Sequence, residues 1–245
     1  MHKNLLTFEK EFYTRGFSKI SLLEGHKKTF DILKKKIKTK FRKNFFKNNF
    51  ENFHKNISDK EINKIRMNVI NYINTIKGLN ENIYLSIKPF IDTLLGPDII
   101  AQKSMNLGIQ MPLDGSRALF HKDTPLSSNY EIVVWLPLVD CTKSMCMLLI
   151  DRKNHDKADK LLDGKDIDRF DKFAKKYGVL EEVKYGEALI FNTNNYHYIP
   201  LNKTDKTRWA INTRYKNLFT PYGERNLLDY YEILKLSPLT KIFDK

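Results

Sequence analysis

The chain has 245 residues, 41% of them hydrophobic, which is enough for a sizeable core in one domain with elaborations. No apolar run approaches the roughly 18 residues of a membrane span, and Met1-His2-Lys3-Asn4 opens without an apolar secretory core, so no membrane span and a cytoplasmic location are expected. The net charge of +14 sits mostly at the front, where residues 1–60 hold sixteen Lys/Arg against six Asp/Glu and seven of the ten residues from Lys34 to Lys43 are basic. Lysines interleaved with an apolar stripe describe a solvated helix face, so no nucleic-acid partner is expected. Cys141 and Cys146 lack C-x-x-C spacing and read as free thiols rather than as a zinc site or a disulfide.

The first third reads as all helical. Leu22, Leu23, His26, Phe30, Leu33, Ile37 and Phe41 recur at intervals of mostly three or four, and Phe45, Phe46, Phe50 and Phe53 continue the apolar side. Ser58 with Glu61 three residues on forms a capping box for a helix running towards Lys77. A further helical segment, Ile83 to Leu95, stops at Gly96-Pro97.

From Asp98 the period changes from helical to extended. Strands are expected within Ile99–Gln110 and at Arg117–His121, Ile132–Leu136, Met145–Ile150, Glu187–Asn192, Tyr196–Leu201 and Thr207–Tyr215, with a charged helical insertion over about 154–178. Helices collected at the start and strands punctuated by Gly, Pro and Asn point to an antiparallel double-sheet barrel with helices packed on it. The expected organisation is a single domain over 1–245: a helical region 1–97, a β core 98–218 and a C-terminal tail 219–245.

The chemistry centres on Phe120-His121-Lys122-Asp123-Thr124-Pro125. Side chains two apart on extended backbone point the same way, so one metal ion can touch both His121 and Asp123. His197, near the start of a later strand, supplies a third ligand. Two histidines and a carboxylate form the facial triad that leaves positions open on non-haem Fe(II). Arg208 follows His197 by eleven residues and opens Arg208-Trp209-Ala210-Ile211-Asn212-Thr213-Arg214. By period 2, Trp209 and Ile211 face the helices while Arg208 and Arg214 face the barrel interior. A buried guanidinium requires an anion, and a dicarboxylate that also chelates the metal supplies one.

Together Ile109-Gln110-Met111-Pro112, His121-Lys122-Asp123-Thr124-Pro125, Glu131 to Asp140, Gly186 to Asn192, His197 and Arg208 resemble the Fe(II)- and 2-oxoglutarate-dependent oxygenases. The likeness is to the phytanoyl-CoA dioxygenase-like branch, nearest to oxygenases of sporadic carbohydrate-biosynthesis clusters. It implies a mainly β fold with α, a double-stranded β-helix (jelly-roll, cupin-like) core carrying packed N-terminal helices. It implies Fe(II) on His121, Asp123 and His197, 2-oxoglutarate as co-substrate with its far carboxylate on Arg208, and O2 as oxidant. Trp135 matches a residue that lines the co-substrate pocket in some relatives, and Gln110 and Arg214 are further pocket residues. In related halogenases the position of Asp123 holds Ala or Gly, so an Asp argues for oxygenation, usually hydroxylation. Arg117, Lys122 and Arg214 favour an anionic small-molecule substrate such as a sugar or sugar nucleotide. Two rival readings remain at this level: a cupin-like metal isomerase or hydrolase that uses the triad without 2-oxoglutarate, and a basic RNA- or membrane-surface-binding protein with a vestigial barrel.

Overall fold

Apolar residues three and four apart give the N-terminal helices their buried sides, as with Phe30, Leu33 and Ile37 or Ile62, Ile65, Val69 and Ile73. The computed structural model describes residues 4–41, 49–114, 120–164, 167–227 and 229–243. Helices α1 (Leu5–Arg15), α2 (Lys27–Phe41), α3 (Asp59–Asn74) and α4 (Leu79–Leu95) precede the main run of strands, with strand β1 (Phe17–Ser21) lying between α1 and α2. There follow β2 (Ile99–Gln102), β3 (Asn106–Gln110), β4 (Glu131–Pro137), β5 (Met147–Ile150), α5 (His155–Asp163), α6 (Ile167–Tyr177), β6 (Gly178–Glu181), β7 (Glu187–Asn192), β8 (His197–Tyr198), β9 (Arg208–Asn217), β10 (Tyr231–Lys235) and α7 (Pro238–Phe243). Glu61 reaches back to the Ser58 amide and hydroxyl, closing the capping box at α3.

The strands form two sheets, antiparallel throughout their paired strands. The larger runs β1-β7-β4-β9-β2-β10, with β3 also paired to β9, and the smaller runs β6-β5-β8. The ten-residue β9 is the spine: its first half pairs with β3, its end with β2, and most of its length with β4. One face of β9 packs on the helical layer. The Trp209 ring meets Phe50 and Phe53 edge-on at 4.9 and 4.8 Å and its indole N–H donates to Phe50 O, while the Tyr215 hydroxyl donates to Asn80 O in α4. A fully buried aromatic of this size is worth about 3–5 kcal/mol against truncation to Ala. The opposite face of β9 therefore looks into the space between the sheets.

Two expectations are corrected here. The first third is not all helical: Phe17–Ser21 pairs antiparallel with β7, Phe17 opposite Phe191. Five residues between two helical patterns are too few for a period to register, and only the glycine before them marks the change. Secondly, the segment after residue 218 is more than a tail, because β10 pairs with β2 and Tyr231 is buried. The expected strand Arg117–His121 and the apolar residues Phe45 and Phe46 lie wholly or mainly outside the described residues. Of Tyr196–Leu201 only His197 and Tyr198 are strand. The 154–178 stretch holds α5 and α6, whose Ala158, Phe170 and Ala174 pack with Ile150 and Tyr196 as a separate small core.

Candidate metal and co-substrate site

His121 and His197 meet as an isolated antiparallel bridge. The His121 amide donates to His197 O at 3.2 Å, the His197 amide donates to His121 O at 3.0 Å, and the ring centroids lie 4.2 Å apart. Phe120 fixes the approach of this segment by stacking on Tyr198 at 4.7 Å and meeting Phe170 of α6 edge-on. Asp123 is tied to the turn between β7 and β8, its amide donating to Thr193 O at 2.9 Å. His121 Nε2 and Asp123 Oδ1 are 3.8 Å apart, and one ligand atom from each of His121, Asp123 and His197 lies within 4.8 Å of the others. Atoms bound at about 2.1 Å on one octahedral face sit roughly 3 Å apart, so closure on an ion needs movements below about 2 Å.

The tautomer of His197 is set by the chain. Its Nδ1 lies 3.0 Å from Asn195 O, so Nδ1–H donates and Nε2 carries the free lone pair. Burial pushes this imidazole down to about 4, against the pull of Asp123, which keeps it neutral and able to ligate. Asn195 is itself clamped, its amide nitrogen donating to Arg15 O and Ile150 O. Gly16 is required beside it. Its φ is +80°, and a Cβ there would lie 2.0 Å from Asn195 Oδ1. The N-terminal helix thus reaches the His-Asp-His cluster through one side chain, a role that the sequence does not signal.

Around the cluster lies a polar row on the inward face of β9. Register places Gln110 opposite Arg208, Trp135 opposite Asn212 and Val133 opposite Arg214, so these side chains share one face. Arg208 is 4% exposed, and its Nε and Nη1 have no hydrogen-bond partner among the described residues. Gln110 Oε1 and Asn212 Oδ1 are likewise unpartnered, although Gln110 Nε2 donates to Pro200 O. Buried cations almost always find partners, so an isolated buried guanidinium marks a place for an anion. Cys141 and Cys146 lie near Arg208, but burial pushes the Cys146 thiol up to about 12 and Cys141 higher still, so neither serves as a counter-ion at neutral pH. Both are free, as the spacing implied.

Arg214 is in a different state. Its Nη2 donates to Asp123 Oδ2 at 2.8 Å, its Nη1 to Gln102 Oε1 at 3.1 Å and to the Tyr230 hydroxyl at 3.3 Å, and its Nε lies 3.5 Å from Glu131 Oε1. Burial raises the Asp123 carboxyl, but Arg214 and the two imidazoles outweigh it and hold the group below the usual carboxylate range. Lys122 is also engaged, 2.7 Å from Asp159 and over the Tyr196 ring. Of the cations expected to attract an anionic substrate, Lys122 and Arg214 are therefore paired within the protein, and Arg117 lies outside the described residues. A groove of about 780 Å³ between α1 and the β7–β8 turn is lined by Phe12, Tyr13, Asn192 and Asn195, and by none of the three clustered ligands.

Among the described residues no helix is long and apolar enough to cross a membrane. No protein-family model matches the chain, and no curated protein matches it by sequence. Solved structures do. A non-heme monooxygenase, ThoJ in its Ni complex, aligns over 93% of this chain and 83% of its own at TM-score 0.60 and 17% identity. The non-heme alpha ketoglutarate dependent carbocyclase SnoK from nogalamycin biosynthesis aligns over 89% and 85% at TM-score 0.55 and 14% identity. The epimerase SnoN, in complex with Fe3+, alpha ketoglutarate and nogalamycin RO, aligns over 89% and 86% at TM-score 0.53 and 11% identity. At such identities the likeness is one of fold: this chain shares the mixed α and antiparallel-β architecture of these three structures, and it carries a His-Asp-His cluster in it.

Proposed function

We propose that this protein is an Fe(II)- and 2-oxoglutarate-dependent oxygenase in which His121, Asp123 and His197 hold the metal and Arg208 holds the far carboxylate of the co-substrate. The observation that carries this reading is the pairing of a His-Asp-His cluster with a buried guanidinium that lacks partners at Nε and Nη1, reached along one face of one strand. The donor set suits Fe(II), being two imidazoles and one carboxylate with an open face. When bound, metal, 2-oxoglutarate and O2 supply an oxidant strong enough to hydroxylate an unactivated C–H bond. What the chain contributes is placement. The Asn195 carbonyl keeps His197 Nε2 free of its proton, and Arg214 keeps Asp123 ionised and turned, which leaves Arg208 rather than Arg214 as the co-substrate anchor. Trp135, Asn212 and Gln110 line the interior between that anchor and the metal and exclude water from it.

On this reading the two sheets are the halves of a double-stranded β-helix, 1–245 is one cytoplasmic oxygenase domain, and the branch is the phytanoyl-CoA dioxygenase-like one. The substrate is a small molecule, with a sugar or sugar nucleotide favoured by the likeness of the motifs to carbohydrate-cluster oxygenases. A cupin-like isomerase or hydrolase using the same triad would leave Arg208 without a purpose. An RNA- or membrane-surface role draws little from the basic helix, where Lys34 and Lys38 lie over the Phe50 ring and Lys34 also over Tyr185. Anaerobic protein mixed with Fe(II) and 2-oxoglutarate should develop the weak visible band of a metal-bound 2-oxo acid, absent in His121→Ala and Asp123→Ala. A band that persists in both variants would rule out this site.

A further inference from the structure

The C-terminal strand enters the site through a chain of buried polar contacts. The Tyr231 hydroxyl donates to Glu131 Oε2 at 2.7 Å, Glu131 Oε1 faces Arg214 Nε at 3.5 Å, and Arg214 Nη2 donates to Asp123 Oδ2 at 2.8 Å. Glu131 is fully buried and Tyr231 is 1% exposed. A carboxylate held out of water needs a compensating purpose, because an apolar or amide side chain would fill the same space at lower cost. Electrostatics provides one. A divalent ion at Asp123 and the guanidinium of Arg214 would compete for one carboxylate and repel each other across it. Glu131 supplies a second anion to the same guanidinium, at Nε, so Arg214 is held by two carboxylates and stays in place when the ion arrives. With Oδ2 engaged by Arg214, only Oδ1 remains turned towards His121, 3.8 Å from Nε2.

We propose that Tyr231, Glu131 and Arg214 form a positioning relay that makes Asp123 a one-oxygen ligand, so that the C-terminal strand is part of the metal site. This inference rests on the metal reading above and deepens it. Residues holding metal ligands from behind typically change metal affinity 10- to 100-fold when altered. Co(II) serves as the probe, since its absorption reports ligand geometry without turnover. The proteins to compare are wild type, Tyr231→Phe, Glu131→Gln and, as control, Tyr222→Phe, whose hydroxyl donates only to the exposed Leu218 carbonyl among the described contacts. Glu131→Gln is expected to bind Co(II) about 10- to 100-fold more weakly and to shift its visible bands. Tyr231→Phe should move both readouts in the same direction by less, and Tyr222→Phe should match wild type. Co(II) affinity and bands within twofold of wild type in both relay variants overturn the inference while leaving the metal site standing. Absence of Co(II) binding by wild type overturns both. If Glu131→Gln does not fold, Tyr231→Phe, which removes one oxygen atom, carries the test alone.

Discussion

Arg208 and Arg214 stand six residues apart on the same face of the same strand, and their surroundings are opposite. Arg214 is paired: two carboxylates, an amide oxygen and a phenol surround its guanidinium, and its Nε, which makes no hydrogen bond, lies 3.5 Å from Glu131 Oε1. Arg208 is buried as deeply and has two nitrogens with no partner among the described residues. A buried cation flanked by carboxylates belongs to the architecture, whereas one without a counter-ion costs free energy that an anionic ligand can return. The comparison separates two side chains that period 2 alone treats as equivalent, and under the proposed function it divides their roles between positioning a metal ligand and receiving an anion.

The largest effect expected from this contrast is on Arg214. Replacing it with Met strands Asp123 and Glu131 as unpaired buried carboxylates, and should destabilise the metal-free protein by about 3–5 kcal/mol in urea unfolding. A loss below about 1 kcal/mol would mean that the two arginines are not different in kind. The same substitution at Arg208 should have the opposite sign. It removes an uncompensated charge from the interior, so the metal-free protein should gain about 1–2 kcal/mol, and clear destabilisation would show that Arg208 has structural partners after all. The smallest effect concerns the neighbouring thiols. If Cys141 and Cys146 are neutral and buried, neither reacts with a water-soluble disulfide reagent at pH 8 until the protein unfolds, when both do. Rapid labelling of the native protein would indicate a thiolate near Arg208 and would fill the gap on which the comparison depends.

The part of this arrangement legible in the sequence is the part written as local pattern. A later strand histidine and Arg208 alternating with Trp209 follow from strand periodicity, and Trp209 does pack on the helical layer as that alternation implies, whereas His121 meets His197 only as an isolated bridge and Asp123 lies outside any strand. Capping at Ser58 and Glu61 is equally local. What was not legible is carried by long-range pairing. Strand β1 is too short to show a period and exists because Phe17 to Ser21 find β7. Gly16 and Asn195, 179 positions apart, meet only in the folded chain, and no spacing rule links them. Glu131 reads as the polar start of an apolar strand, and only its burial beside Arg214 and Tyr231 gives it a purpose. The distinction between Arg208 and Arg214 belongs to the same class, because it depends on which partners each finds across the sheets.

The most direct test is calorimetric titration of 2-oxoglutarate into Co(II)-loaded protein, wild type beside Arg208→Met, with Co(II) affinity measured on both. A bidentate guanidinium–carboxylate pair in a dry interior is worth about 3 kcal/mol, so the variant should bind 2-oxoglutarate on the order of 100-fold more weakly while its Co(II) affinity stays unchanged. Equal 2-oxoglutarate affinity in the two proteins would contradict the assignment of Arg208 as the co-substrate anchor.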